Sequence, residues 1–183
     1  DCNNGYLEIT SKKINYKGVV YMVYKCQEFQ IGFDRRTPSQ IKKHFVQMKD
    51  YEKEYVKKAV KNINIKRLVI SPHLYEKMER EGITFDLEVI YDTIRKFNVN
   101  EDLIEVNFNK DKSTRIAFRS RKIIEVNVGN RIEKCRLCFV INLANGHIVT
   151  TYYNSLQNVK RIPNLMKYDS NLNIVKHLKQ YIN

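Results

Sequence analysis

Apolar residues recur along the chain first with a period of two, then with a period near 3.6, and finally with a period of two again. Residues 6–10 and 19–24 are β-branched and aromatic, which predicts strands within residues 6–33. Thr37 followed by Pro38 has the form of a helix start, and the apolar spacing after it predicts one long amphipathic helix to about Asn62. The pattern resets near residue 64. Residues 1–64 are therefore predicted to form a small N-terminal α/β element.

The second part, residues 65–183, opens with helices and continues with strands. One predicted helix begins at Ser71 and Pro72 and stops at Gly82, and another follows it to about Asn98. A period of two then predicts strands at residues 103–109, 114–119, 123–128, 136–143 and 148–154, with a tight turn at Asn145-Gly146. A short helix is expected within residues 171–182. This order predicts an α+β domain with two helices packed on one face of an antiparallel sheet of about five strands.

One face of the predicted sheet is apolar and the other is polar. Ile116 and Phe118 alternate with Arg115 and Arg119, and the strands on either side alternate in the same way. The helices are expected to cover the apolar face. The polar face, which carries the two arginines, is then the surface on which a polyanion would lie.

The charge of the chain narrows the class of partner. Its 183 residues include 33 Lys and Arg against 20 Asp and Glu, a formal net charge of +13, which favours RNA, DNA or an acidic protein as partner. A predicted lysine-rich helix face over residues 42–61 is a second candidate for phosphate contact, although such faces are more often only solvated. No apolar run approaches the ~18 residues of a membrane span, so no membrane partner is expected. The given sequence does not open with a basic and then apolar segment, so a signal peptide is expected to be either absent or already removed.

The four cysteines give little support to a metal site. Cys135 and Cys138 have the spacing of half a zinc knuckle, but no second pair follows at metal-ligand spacing. In a strand, residues three apart also point to opposite faces. We therefore interpret the cysteines as reduced thiols of a cytosolic protein and expect neither a metal nor another cofactor.

His73 is the first candidate for chemistry. It occupies the second position of the helix that starts at Ser71 and Pro72, where the positive helix end favours a neutral imidazole that can accept a proton. Lys77 lies one turn later on the same face and could bind a phosphate beside it. A surface histidine and a lysine paired with Glu81 are the alternative interpretation of the same residues.

The segments HLYEKMEREGIT at residues 73–84 and GHIVTTY at residues 146–152 resemble the ribonuclease toxins of the barnase, EndoU, colicin and RelE superfamily. The resemblance covers roughly residues 67–155. It implies a metal-independent endoribonuclease in which His73, Thr150 and Tyr152 are catalytic and Lys77 binds substrate. Glu81 departs from the family, which commonly has a second basic residue before the glycine.

The chemistry implied is attack of a ribose 2′-hydroxyl on the adjacent phosphorus, which leaves a 2′,3′-cyclic phosphate. Arg115 and Arg119 suit the phosphate, and an aromatic residue such as Tyr152 or Tyr153 can stack on a base of single-stranded RNA. The family also implies RNA, including tRNA, as substrate, and an acidic immunity or antitoxin protein as partner. Such an enzyme acts in the cytoplasm, and some are delivered from outside as part of a larger protein.

Periodicity and resemblance disagree about which strand residues face the site. A two-residue turn at Asn145-Gly146 puts Thr151 and Tyr153 on the polar face, whereas the resemblance selects Thr150 and Tyr152. A longer turn or a bulge would change the pairing, so we take Thr150 and Tyr152 as the catalytic pair and Thr151 and Tyr153 as substrate-binding residues. Two other functions also remain: a nucleic-acid-binding protein without catalysis, and an interaction protein that holds an acidic partner.

Overall fold

The computed structural model describes residues 5–16, 19–30, 40–109, 113–158 and 165–182. The chain divides into two compact units, Asp1–Pro38 and Ser39–Asn183. In the first unit, β1 (Gly5–Tyr16) and β2 (Val19–Gln30) form an antiparallel pair over their whole length. The turn expected between them at Lys17-Gly18 and the helix start expected at Thr37 and Pro38 lie outside the described residues.

The second unit is built on a six-stranded sheet with the order β3-β5-β6-β7-β8-β4, in which only β4 and β8 run parallel. The strands are β3 (Gln40–His44), β4 (Val69–Ile70), β5 (Leu103–Asn109), β6 (Thr114–Val128), β7 (Arg131–Asn142) and β8 (His147–Ser155). The helices are α1 (Asp50–Lys61), α2 (Pro72–Glu81), α3 (Leu87–Arg95), α4 (Val99–Asp102) and α5 (Ile174–Leu178). The predicted α+β class is confirmed. The sheet has six strands where about five were predicted, because β3 and β4 are added at its two edges and two predicted strands form the single strand β6.

All five helices lie on one face of this sheet, where a single apolar core joins them to the strands. Its fully buried side chains come from the strands and from α1, α3 and α5 and include Phe118, Phe139, Leu137, Ile148, Val56, Ile90 and Leu178. None of the helices in the described ranges is long and apolar enough to cross a membrane. The opposite face of the sheet, which the helices leave uncovered, is called the open face below.

The prediction of one helix from Thr37 to about Asn62 is wrong for residues 40–49. These residues form β3, a 3₁₀ turn (Phe45–Gln47) and a two-residue link, and α1 begins only at Asp50. Glu52 sets that start, because its carboxylate accepts from the Lys49 amide nitrogen at 3.0 Å. The division between units accordingly falls between residues 38 and 39. It differs from the boundary expected near residue 64, since β3 and α1 belong to the sheet unit.

The lysine-rich face predicted over residues 42–61 is therefore not one continuous helix face. Lys42 and Lys43 are neighbours in β3 and point to opposite faces of the sheet. The Lys43 ammonium is buried on the helix side, where it contacts both carboxylate oxygens of Glu52 at 2.7 and 3.0 Å. The pair ties edge strand β3 to α1.

The helix signals in the second part are confirmed in detail. Ser71 caps α2 by accepting from the Leu74 amide, Pro72 occupies the first helical position, and Gly82 ends the helix with φ of 64°. Asp86 caps α3 through the Glu88 amide. These caps place both helices where the sequence predicted them.

Strand β6 is continuous where two strands were predicted, with an irregularity between Arg119 and Ile123. There, the Arg121 side chain reaches the fully buried carboxylate of Asp102 at 3.0 Å. Beyond Ile124 and Cys135, β6 and β7 pair only with each other, because β5 pairs no further than Phe118 and β8 no further than Cys135. Residues 125–134 therefore form a two-stranded projection, called the arm below.

We predict that Glu52→Gln lowers the free energy of unfolding by about 3 kcal/mol, because it leaves the buried Lys43 ammonium without a counter-charge. Glu54→Gln is the matched control on the same helix, since Glu54 forms an exposed pair with Lys57. That control should cost less than about 1 kcal/mol. Urea unfolding of both variants measures the difference, and equal losses would contradict a structural role for the buried pair.

Candidate active site

A turn and a bulge in the β7–β8 hairpin set the pairing of these strands, and with it the residues of β8 that reach the open face. Asn142 pairs with His147 across a four-residue turn, not the two-residue turn considered from the sequence. With that turn alone, Phe139 would lie opposite Thr150. A bulge at Val149 shifts the pairing by one residue, so that Val140 lies opposite Thr150 and Phe139 opposite Thr151.

The shift puts Thr150 and Tyr152 on the open face and turns Thr151 and Tyr153 towards the helices. Tyr152 lies opposite Cys138, and its side chain is about half exposed, at 48%. Thr151 is buried opposite Phe139, and the Tyr153 hydroxyl donates to the Thr84 carbonyl after α2 at 2.8 Å. The placement of Thr151 and Tyr153 on the polar face, which a two-residue turn predicts, is wrong because of the bulge; the longer turn shifts the pairing by two residues and alone would leave both on that face.

The structure does not bring His73 together with the open-face pair. α2 contributes Leu74 and Met78 to the core on the helix side of the sheet. His73 is exposed on that helix and has no hydrogen-bond or ion-pair partner among the described residues, and Lys77 is half-buried one turn further on. The two α2 residues and the open-face hydroxyls thus belong to different layers of the fold.

A different cluster of polar side chains is gathered on the open face, and four strands and a loop supply it. Register places on this face Lys42 and His44 of β3, Glu105 and Asn107 of β5, Arg119 of β6, and Tyr152 of β8. Tyr168, from the segment before α5, lies over the β3 end of the cluster. The cluster combines a carboxylate, an imidazole, a guanidinium, an ammonium and two phenols.

Glu105 is the centre of the cluster, and its carboxylate is only 14% exposed. Oxygen Oε2 accepts from the Tyr168 hydroxyl at 2.5 Å and lies 3.8 Å from the Lys42 ammonium. Oxygen Oε1 accepts from the Asn107 amide at 3.3 Å, a long hydrogen bond. One oxygen is firmly held while the other keeps acceptor capacity for an incoming group.

His44 is held in a defined orientation beside this carboxylate. Its Nδ1 accepts from the Val46 amide nitrogen at 3.2 Å, so the neutral ring carries its proton on Nε2. The edge of the ring meets Tyr168, with centroids 5.2 Å apart. Partial burial lowers the pKa of His44, Lys42 and Arg119 lower it further, and only Glu105 opposes them.

Arg119 lies at the other side of the cluster, opposite Cys138 in the β6–β7 ladder. Its Nε is buried and has no hydrogen-bond partner among the described residues. Burial raises the pKa of the Cys138 thiol to about 11, and burial likewise raises the pKa of the neighbouring Tyr152 phenol. Both groups are therefore protonated at neutral pH, which leaves the charge of Arg119 uncompensated by them.

Arg115 shares the open face but is engaged elsewhere. Its guanidinium donates to the Asn109 side-chain oxygen at the end of β5, in the amide orientation that pairs donors with an acceptor. Of the two arginines predicted to bind phosphate, only Arg119 belongs to the cluster around Glu105.

Four members of this cluster were not found from the sequence: His44, Glu105, Asn107 and Tyr168. His44 falls within the long helix predicted to end near Asn62, where no other candidate catalytic residue lies near it. Glu105 was visible only as one polar position in an alternating strand, a pattern that any half-exposed strand shows. Tyr168 follows the sheet by more than ten residues, and no local signal indicates which strand it will contact.

Two other arrangements do not compete with this cluster. A cleft of about 350 Å³ opens near the end of α1 and the β7–β8 turn, lined by Asn62, Arg67, Asn145 and Tyr181 among others, and no residue of the cluster lines it. The described part of the chain has no group of three or more His, Cys, Asp or Glu side chains that could hold a metal ion. Cys135 and Cys138 lie on opposite faces of β7, and neither forms a disulfide within the described residues.

We predict that Tyr153→Phe lowers the free energy of unfolding by about 1 kcal/mol, because it removes the bond from β8 to the Thr84 carbonyl. Tyr152→Phe, the adjacent open-face residue, should cost less than about 0.5 kcal/mol since its ring already lies half in solvent. Thermal or urea unfolding of the two variants tests the bulged register. A larger loss for Tyr152→Phe would contradict it.

The open face thus joins one tightly held carboxylate to an oriented imidazole and to a guanidinium whose buried Nε has no partner among the described residues. Comparison of the chain with protein-family models, with curated proteins and with solved structures found no match.

Proposed function

We propose that the chain is an endoribonuclease that cleaves RNA by attack of a ribose 2′-hydroxyl on the adjacent phosphorus, with its active site on the open face. The observation that carries the proposal is the juxtaposition of Glu105, His44 and Arg119 on three different strands. A base, a proton donor and a fixed positive charge are the three parts that this transesterification needs.

Glu105 suits the role of general base. Its Oε1 has spare acceptor capacity and can take the proton of the 2′-hydroxyl, while Tyr168 and Lys42 hold Oε2 and keep the carboxylate oriented. Orientation by neighbours of this kind shortens the search for a reactive geometry. Tyr168 and Lys42 are positioning residues in this proposal.

His44 and Arg119 suit the two remaining tasks. In its imidazolium form His44 can protonate the departing 5′-oxygen from Nε2 and is left as a neutral ring; this form carries a proton on Nδ1 and releases the Val46 amide. Arg119 can stabilise the negative charge that builds up on the phosphoryl oxygens. Tyr152 lies beside Arg119 with half of its side chain exposed, where it can contact a base or donate to phosphate.

This assignment keeps the reaction that the resemblance to ribonuclease toxins implies and moves its catalytic residues. Tyr152 and Arg119 stay in the site, and Thr150 borders it on the same face. His73 has no catalytic role and Lys77 no substrate-binding role in this proposal, since α2 packs in the helix layer. The side chains complete the chemistry without a cofactor, and an acidic inhibitor that covers the cationic open face is part of the same proposal.

We predict that Glu105→Gln lowers kcat for RNA cleavage by about 10²- to 10⁴-fold, because the amide cannot accept the 2′-hydroxyl proton. His73→Ala, which removes the histidine of α2, should change kcat by less than about twofold. Cleavage of a defined RNA in EDTA, with the 2′,3′-cyclic phosphate identified by mass spectrometry, provides the measurement. Circular dichroism establishes that both variants are folded.

The outcome separates the proposed enzyme from its alternatives. Loss of cleavage in His73→Ala with activity retained in Glu105→Gln would move the active site back to α2. Retention of RNA without cleavage by the unaltered protein would favour a nucleic-acid-binding protein. Cleavage that requires an added divalent metal would contradict the roles assigned to the side chains.

A second prediction concerns pH. Because His44 acts as an acid and its pKa is lowered below 6.5, kcat/KM should already fall as pH rises through that lowered value, by up to tenfold per unit. In His44→Gln this alkaline decline should disappear, together with most of the activity. A profile of kcat/KM between pH 4.5 and about 8 tests this, and an unchanged decline in the variant would assign it to another group.

A further inference from the structure

We propose that Arg136 and Lys134 continue from Arg119 as a phosphate-binding track along β7, so that single-stranded RNA lies along the open face and out onto the arm. The proposal rests on the proposed function for the position of the scissile phosphate, at Arg119. It adds to that function a binding site for the nucleotides that flank the cleaved bond.

The register puts the three cations in a row. Arg119 lies opposite Cys138, and Arg136 and Lys134 follow Cys138 on the same face of β7 at steps of two residues. Each step along an extended strand is about 6.6 Å, which is close to the distance between neighbouring phosphates of an extended polynucleotide. The row therefore matches a single strand better than a duplex, whose phosphates follow a helical path.

Both arginines of the row have unused hydrogen-bonding capacity. The Nε atoms of Arg119 and Arg136 are buried and without a partner among the described residues. Buried donors are nearly always paired in folded proteins, so two unpaired guanidinium nitrogens on one face point to a missing acceptor. The positive charges of both arginines lower the pKa of the Cys138 thiol, although burial outweighs them. Both guanidinium groups therefore lie close to this thiol on the open face.

The arm leaves this strip accessible. Beyond Cys135, no third strand pairs with β6 or β7 in the described part of the sheet, and Lys134 is exposed. Ile132 and Ile123 flank the cations on the same side, with 65% and 50% of their surfaces exposed. Exposed apolar side chains beside the cations can contact ribose and base while the charged groups bind phosphate.

One carboxylate opposes phosphate binding on the track, so its removal should change RNA affinity in the opposite direction from removal of a cation. Glu125 lies directly opposite Lys134 and is exposed on the same side of the arm. Its negative charge repels phosphate at this position. Removing that charge should tighten RNA binding, whereas removing Arg136 and Lys134 should weaken it.

The test measures binding of a non-cleavable 2′-O-methyl RNA 12-mer between 50 and 200 mM salt. The double variant Arg136→Ala/Lys134→Ala should bind roughly tenfold more weakly, and the slope of log K against log salt should shrink by about 1.4, since each lost phosphate contact removes about 0.7. Glu125→Gln should bind two- to threefold more tightly. The matched control Lys61→Ala/Lys66→Ala removes two exposed cations outside the open face and should leave the slope within about 0.3.

Cleavage of a dinucleoside monophosphate separates the track from the active site, because this substrate has no flanking phosphates. The double variant should cleave it within about twofold of the unaltered protein while losing activity on the 12-mer RNA. Equal slopes in the double variant and the control overturn the track and leave the enzyme intact, with the exposed isoleucines then assigned to a protein contact. If the unaltered protein never cleaves RNA but the salt slope still changes in the double variant, the proposed function is overturned and the track is supported. If the protein binds no RNA at all, both are overturned.

Discussion

The helices of the second unit cover only one face of its sheet, so alternation along each strand separates core side chains from those of the open face. It sends Phe118 and Phe139 to the helices and Arg119 and Cys138 to the other side. In the last strand one extra residue, Val149, shifts the alternation, so that Thr151 and Tyr153 face the helices. That single bulge brings Tyr152 into the candidate site, beside the residues that the other strands supply.

Charged side chains have different roles on the two faces of the sheet. On the helix side, Lys43 and Glu52 satisfy each other completely and fix the edge strand to α1. On the open face, Glu105 is held by a phenol, an amide and the Lys42 ammonium. Among the described residues no arginine lies within ion-pair distance of Glu105, and the buried Nε of Arg119 has no partner. Charges that are satisfied stabilise the fold, whereas charges that are left incompletely satisfied are available to a substrate.

The fold was largely predictable because helix caps and strand periodicity are local signals. Ser71, Pro72 and Gly82 mark α2 within a few residues, and the helix bounds agree with the structure. Residues 40–49 were mispredicted since apolar residues there fit helical spacing, while pairing with β5 and the Glu52 cap decided the outcome. The site was only partly predictable, because Tyr168 and His44 acquire their neighbours through contacts distant in sequence.

The hydroxyl of Tyr168 reaches Glu105 across 63 positions of the sequence, and α5, which follows it, fills the core with Ile174 and Leu178. A growing chain that has been synthesised only as far as β8 lacks all three of these side chains. The carboxylate then has no phenol to orient it, and the apolar layer above the sheet is open. Assembly of the candidate site and closure of the core are thus coupled to the same late segment, so that competence arises only when folding is complete.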